Sequence, residues 1–427
     1  MTFGVTEPAR EMFDRSVLER LIERRLNDHD CVVLVGPRQV GKSTLAMSVA
    51  SAFKGVVSLD LDKPEDARRV VDIDQLFSDC TNKLLVVDEA QLAPDLFPAL
   101  RVEIDRQRAA GGRCSGKFLI SGSASQQIED LARKLTGRYS QIELLGFHIL
   151  ELPMLPRSDD PLAVISDDVP GVSSVDDFEA QKKLWLRGGM PSSYFASSDQ
   201  VSFEWLNDYI RAYVDRELSG LTSSISSLEF EQVWQFIASQ SSREWDWQKI
   251  PGKLSMKKDV VTRCVSLLKA LRFVRELQPW SKSPGNRVAH HSKYYLRDTG
   301  LLHMLLNCRT FEQLEQTGCR GGSWETFAVE ALCRSSAAAQ GLFFYRDNRH
   351  NELDLVVEFD TTDRWGIEIK SGDNPRIEAG NQRAADELSV TRRLAVNLTG
   401  STLSEAKGFE VMSLEAACNA LRSHRIA

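Results

Sequence analysis

The chain has 427 residues, 42% of them hydrophobic and 26% charged, with a formal net charge of −7. That is the balance of an ordinary globular protein, with length for two to four domains at roughly 100–200 residues each. It holds no run near the ~20 unbroken apolar residues of a membrane span, and its acidity excludes a protein that coats nucleic acid over its whole surface.

The first residues, Met-Thr-Phe-Gly-Val-Thr-Glu-Pro, lack the basic start and apolar core of a signal peptide, so a cytoplasmic location and no membrane partner are expected. The cysteines Cys31, Cys80, Cys114, Cys264, Cys308, Cys319, Cys333 and Cys418 form no C-x-x-C pair. Without that spacing they read as buried thiols, not as a zinc cluster.

Apolar residues at helical spacing predict a helix from about Arg10 to Leu26. The β-rich run 31–35 follows, then Gly36, Pro37, Arg38, Gln39, Val40, Gly41, Lys42, Ser43 and Thr44, then a helical stretch. This is G-x-x-x-x-G-K-S between strand and helix, the context in which the loop wraps a phosphate chain. Backbone N–H groups and the helix start supply positive potential. Lys42 is expected on the β- and γ-phosphates and Ser43 on Mg²⁺, so ATP and Mg²⁺ are the expected ligands.

A strand is predicted at 55–61 and another at 83–87, the latter running into Asp88 and Glu89. Asp88 lies 46 positions after Lys42 in the sequence. The pattern assigns Asp88 to Mg²⁺ and Glu89 to the attacking water. The strand 117–121 ends in small polar residues. Ser121 and Ser123 are candidates for the γ-phosphate or the water, against the alternative of a simple turn. Arg138, before the strand 140–145, reads either as an arginine finger or as a structural ion-pair residue.

The segments GPRQVGKST at 36–44, LLVVDEAQ at 84–91, FLISGSAS at 118–125 and LTGRYSQIELLGFHILEL at 135–152 resemble a prokaryotic AAA+-like ATPase family with a long uncharacterised C-terminal region. The resemblance continues through Gly188-Gly-Met-Pro191, Tyr209, Tyr213, Arg216, Glu217 and the stretch Lys293–Leu302. Glu217 departs from it, since the family often has Asp there. The resemblance implies an additional-strand ATPase core with nucleotide at the C-terminal edge of its sheet.

Residues 156–177 read as a surface linker, and helices are predicted near 178–186, 203–218 and 230–239. A helix is expected from Ser255, as N-cap, to Leu271, then strands at 273–277 and 294–296 around a polar loop. Helix, helix, strand, loop, strand is the order of a winged helix-turn-helix. Twelve Lys/Arg against three Asp/Glu fall between Lys249 and Asp298, a local balance of +9. Double-stranded DNA is thus an expected partner, with Lys257, Lys258, Arg263 and Arg287 as candidate contacts. A rigid arm or a protein-binding surface is the alternative.

The last part predicts a helix bearing Glu325, then strands at 341–346, 352–359 and 364–370. Residues two apart on a strand share a face, which pairs Glu352 with Asp354 and Glu368 with Lys370. Asp354, Glu368 and Glu325 are the expected ligands of one or two Mg²⁺ or Mn²⁺ ions, with Lys370 beside the water. This order resembles the restriction-endonuclease-like PD-(D/E)XK superfamily, with Leu353 in place of the proline. The alternative is an inactive relic used for binding.

The expected architecture is α/β. It comprises a P-loop NTPase domain (1–154), a linker and helical subdomain (155–229), a winged helix (230–317) and a small restriction-endonuclease-like domain (318–427). Three functions follow: an ATPase coupled to DNA binding or processing, a nucleotide-gated regulatory or toxin/defence switch, and a protein-remodelling ATPase. A homo-oligomer is expected if Arg138 acts in trans.

Overall fold

The computed structural model describes residues 15–110, 117–123, 126–152, 175–214, 225–245, 249–282, 292–372, 375–399 and 405–424. The chain divides into two compact units, one running to Gly146 together with the turn Ala270–Arg272, the other formed by the remainder.

In the first unit, α1 (Ser16–Asp28) leads into β1 (Cys31–Gly36), α2 (Lys42–Ala50) and β2 (Val56–Asp60). Short helices α3 (Pro64–Arg69) and α4 (Ile73–Asp79) precede β3 (Leu84–Asp88). Then come α5 (Leu96–Ala109), β4 (Phe118–Ser123), α6 (Gln126–Arg133) and β5 (Tyr139–Glu143). The five strands lie in the order β2-β3-β4-β1-β5, and every pairing is parallel. β4 therefore stands between the P-loop strand and the strand ending in Asp88. β1 is buried at every position, which explains its unbroken apolar sequence: helices cover both faces of a parallel sheet. Val33, Val35, Leu85, Val87 and Ile120 join Leu96, Phe97, Leu100 and Ile104 of α5 in one core. Each such side chain contributes about 1.5–3 kcal/mol by leaving water.

The second unit begins with helices α7 (Val175–Arg187), α8 (Pro191–Tyr194) and α9 (Asp199–Tyr213). Next are α10 (Ser227–Ser239), β6 (Glu244–Trp245), α11 (Ile250–Leu254), α12 (Lys258–Ala270), β7 (Val274–Pro279) and β8 (Ser292–Leu296). After α13 (Thr299–Leu305) and α14 (Phe311–Gln316) come α15 (Arg320–Ser335), β9 (Gly341–Arg346), β10 (Glu352–Glu358) and β11 (Arg364–Ile369). α16 (Ala379–Glu387), β12 (Arg392–Asn397), β13 (Glu405–Ala406), β14 (Phe409–Ser413) and α17 (Leu414–Ser423) complete it.

One nine-stranded sheet, β13-β14-β12-β11-β10-β9-β7-β8-β6, runs through this unit. β7 pairs with β9 through Gln278 and Phe343, so the sheet crosses the boundary expected at 317/318. Ser255 is not an N-cap. It closes α11 in a left-handed conformation at φ 54°, and α12 starts at Lys258. Arg216, Glu217 and Arg287 lie outside the described residues.

Two of the sequence segments carrying the resemblance pack on each other. Asp298 caps α13 by accepting from Leu301 N–H at 3.0 Å, and it accepts from Gly189 N–H at 2.8 Å. A Cβ on Gly188, at φ +75°, would stand 2.1 Å from the Asp298 carboxylate, and one on Gly300 2.1 Å from the Arg187 carbonyl. Glycine is required at both by this close approach.

A buried carboxylate ties the sheet to α15. Glu330 accepts from Arg275 Nε at 2.6 Å and from Arg297 Nε at 2.9 Å. Burial pushes this carboxyl up, but the two guanidiniums outweigh it and bring it down to about 2. A depressed acid stabilises the fold above its unfolded pKa and loses that contribution as pH falls through its folded pKa. Glu330→Gln is therefore expected to lower unfolding free energy by about 3 kcal/mol near neutral pH, since it strands two buried cations. In denaturant melts the gap from wild type should close between pH 4.5 and about 2. A pH-independent gap would contradict the assignment.

Candidate functional site

The N-terminal site is built at the C-terminal edge of the parallel sheet. Gly36 ends β1 where a Cβ would lie 1.9 Å from the Leu144 carbonyl oxygen, so only glycine lets the loop start this close to the chain after β5. Gln39 at φ 63° and Gly41 at φ 94° complete the turn. Lys42 then opens α2 and is 5% exposed. Its ammonium donates to the Gly36 and Pro37 carbonyls at 3.0 and 2.9 Å, folded back along the loop. Ser43 and Thr44 are exposed at the helix start.

Arg15 adds a contact that sequence reading missed. It donates to the Val40 carbonyl at 2.9 Å and to the Leu145 carbonyl at 3.4 Å, linking the loop to the chain after β5. A lone arginine before a helix gives no pattern that would reveal this.

Ser43 and Asp88 meet directly: the Ser43 hydroxyl donates to Asp88 Oδ2. Ser121 Oγ donates to Asp88 Oδ1 at 2.6 Å. Glu89 sits in the left-handed region at φ 51°, a conformation that costs a non-glycine residue about 1–3 kcal/mol. Its carboxylate accepts from Ser123 Oγ at 3.1 Å and from the Gln91 side chain. Gln91 fits because residue 122 is glycine; a Cβ there would stand 2.6 Å from Gln91 Oε1. The structure thus brings together Lys42, Ser43, Asp88, Glu89, Ser121 and Ser123. The two serines of β4 are not a plain turn. Each grips one acid.

Arg138 is not brought to this edge. Tyr139, next to it, pairs with Cys31 at the start of β1. That is five positions below Gly36, roughly 16 Å along the strand. Asp105 takes Arg138 in a two-pronged pair at 2.8 and 2.9 Å. Of the two readings of this arginine, the geometry within the chain is that of the structural ion pair.

In the second unit the acids gather around a lysine. Lys293, on β8 and 3% exposed, has its Nζ 3.3 Å from Glu325, 2.9 Å from Glu352 and 3.6 Å from Asp354. Tyr295 donates to Glu325 Oε1 at 2.9 Å. The β9–β10 register slips between Leu353 and Val356. Such a bulge re-aims side chains, and Asp354 lies within it. The other Asp354 oxygen accepts from Ile369 N–H at 2.9 Å. Glu368 pairs with Lys370 at 2.6 Å, as their shared face predicts.

Burial, then the neighbouring Asp354 charge, pushes Glu368 up to about 8. Burial raises Glu325 to about 7 against the pull of Lys293. The expected convergence of Glu325, Asp354 and Glu368 on a metal ion is not what the structure forms. Among the described residues no three His, Cys, Asp or Glu are placed to hold one. The physical reason is Lys293: Glu325 and Asp354 turn to its ammonium. Sequence reading missed this role because Lys293 counted as one more surface cation.

Several cations of the basic segment are likewise held by acids of the chain. Arg263 pairs with Asp259, Lys269 with Glu276, Arg275 and Arg297 with Glu330, and Lys293 with its acids. Lys249, Lys253, Lys257 and Lys258 are exposed at α11 and the start of α12. The opposite face of α12, Val260, Val261, Cys264 and Leu268, is buried.

The strand order, the loop and its acids define the first unit as an AAA-type P-loop ATPase domain. A family model described as "AAA domain" matches residues 28–152. Two domains of unknown function, DUF8612 and DUF4143, match residues 178–312 and 320–417. The uncharacterized protein Rv2008c of Mycobacterium tuberculosis is 32% identical over 372 residues, covering 87% of this chain and 77% of that protein. The uncharacterized protein Mb2031c of Mycobacterium bovis matches to the same extent, 32% over 372 residues. The chain belongs to the family of these two mycobacterial proteins.

Among solved structures, the Walker-type ATPase of Pyrococcus abyssi covers 70% of this chain and 97% of its own at 14% identity and TM-score 0.45. The Aeropyrum pernix ORC1 protein, solved in complex with DNA, covers 73% and 97% at 12% identity and TM-score 0.30. Among the described residues no helix is long and apolar enough to cross a membrane.

Gly36→Ala tests the loop geometry. The added methyl meets the Leu144 carbonyl, and overpacking of this kind costs typically about 1–3 kcal/mol. Thermal melts should show that loss together with weakened nucleotide binding. Unchanged melting and binding would contradict the close approach.

Proposed function

We propose that this protein binds ATP with Mg²⁺, hydrolyses it, and couples that cycle to binding double-stranded DNA. The observation that carries the hydrolytic part is the joined set Ser43, Asp88, Ser121, Glu89 and Ser123 beside Lys42. The hydroxyl of Ser43 and the carboxylate of Asp88 are hard oxygen donors already in contact, a set that suits Mg²⁺. They would hold the ion, which neutralises phosphate charge when bound. Backbone N–H groups of residues 36–44 cradle the phosphates. Lys42 leaves the Gly36 and Pro37 carbonyls for the β- and γ-phosphates. Glu89 orients and polarises the attacking water. Ser121 and Ser123 position the two acids.

The DNA part rests on the second unit. Helix, strand, helix, helix, strand, strand, with β8 between β7 and β6, supports a winged-helix reading of α10 to β8. The contacts proposed first are Lys257, Lys258, Lys253 and Lys249, exposed at α11 and the start of α12. The succession α15, β9, β10, β11, α16, β12, with β11 and β12 parallel, supports a restriction-endonuclease-like reading of the last part. Lys293 within its acids favours a domain that binds without cutting, so the proposed cycle has no nuclease step and no second Mg²⁺ or Mn²⁺.

Steady-state ATP turnover with and without duplex DNA tests both parts. Lys42→Ala should abolish turnover. DNA should stimulate the wild type at low salt. Lys257→Ala/Lys258→Ala should weaken DNA binding and flatten its log–log salt dependence by about 2, near 0.9 per lost phosphate contact. Turnover retained in Lys42→Ala sinks the hydrolytic reading; an unchanged salt slope sinks the DNA surface.

A further inference from the structure

We infer that Arg15 is a positioning residue of the nucleotide site: by holding the Val40 carbonyl, it aims the Gly41 N–H into the phosphate cradle. This role deepens the nucleotide reading above and rests on it.

A trans peptide is planar, so its C=O and N–H point to opposite sides. Whatever fixes the Val40 carbonyl therefore fixes the direction of the next N–H, that of Gly41. Arg15 Nη1 donates to this carbonyl at 2.9 Å, and Nη2 donates to the Leu145 carbonyl at 3.4 Å. The guanidinium lies against Gly41, where an added Cβ would stand 3.1 Å from Nη1. Gly41 takes φ 94°, and glycine enters that region about as readily as it leaves it. The Val40–Gly41 peptide thus needs a hold from outside the loop to keep one orientation.

That hold is itself anchored. Arg15 stands at the start of α1, and its carbonyl accepts from Glu19 N–H at 3.0 Å. The Glu19 carboxylate accepts from Ser48 Oγ of α2 at 2.5 Å. Ile22 and Leu26 continue the same helical face and are buried. α1 therefore carries the guanidinium in register with α2, the helix that the loop opens. A planar guanidinium can take two carbonyls at once, which an ammonium does less well. Lys42 also holds loop carbonyls, those of Gly36 and Pro37, but leaves them for the phosphates. Arg15 stays in place.

Backbone N–H groups of such a loop cradle the α- and β-phosphates. Most of that contact is already made in the bound ground state, so losing it weakens binding far more than it slows turnover.

The test is calorimetric binding of Mg-ATP and of Mg-tripolyphosphate, which has the phosphates without base or ribose, to the full chain. Arg15→Ala should weaken both by the same factor of about ten, the scale of one hydrogen bond to a charged group. Its kcat at saturating ATP should stay within about twofold of wild type. Equal affinities in wild type and Arg15→Ala overturn the inference alone. So does a loss confined to ATP, which would place Arg15 on the base or ribose, or an effect confined to kcat. Wild type that binds neither ligand overturns the nucleotide reading and this inference with it. Should Arg15→Ala fail to fold, judged by circular dichroism, Arg15→Gln carries the same comparison with the same outcomes.

Discussion

A carboxylate drawn out of water must be met by donors, and the choice of donor separates the two sites of this chain. At the end of the parallel sheet, Asp88 and Glu89 are met by neutral hydroxyls and an amide from Ser43, Ser121, Ser123 and Gln91. Hydroxyls hold the acids in place yet leave their negative charge uncompensated, so the edge stays attractive to a cation and its phosphates. In the second unit, Glu325, Glu352 and Asp354 are met by an ammonium. One ammonium reaches all three acids and offsets one of their charges.

The same rule governs the rest of the second unit. Glu330 draws in Arg275 and Arg297 and fixes the β7–β8 ribbon to α15. Lys269 turns to Glu276. Among the described residues of this segment several cations are held by acids, while the lysines from 249 to 258 stay exposed. The sheet continuing from β6 to β13 binds these pieces into one unit, which is why an ion pair can join β8 to β10 across two intervening strands.

The P-loop was fully legible in sequence, because glycine spacing between a strand and a helix is a local pattern and local patterns survive without tertiary knowledge. Asp88 and Glu89 were legible for the same reason. The strand and helix order of the last part was legible from alternation, including the shared face of Glu368 and Lys370. Ser255 was misread because a serine before an apolar run has the chemistry of an N-cap, and only the preceding Pro251 hinted at a separate short helix. Arg15, Lys293 and the pairing of Gly189 with Asp298 could not be read, since each depends on residues far apart in sequence meeting in the fold. Net charge misled in the basic segment because it counts cations without their partners.

Glu89, held in a left-handed turn by Ser123 and Gln91, is proposed to act on water and not on nucleotide affinity. Single-turnover hydrolysis and ATP binding measured side by side on Glu89→Gln test it most directly. With that role, ATP affinity stays within a few-fold of wild type and the hydrolysis rate falls by about 10²–10⁴-fold, the usual contribution of a positioned acid–base group. Hydrolysis at the wild-type rate, or loss of ATP binding in a folded Glu89→Gln protein, would contradict it.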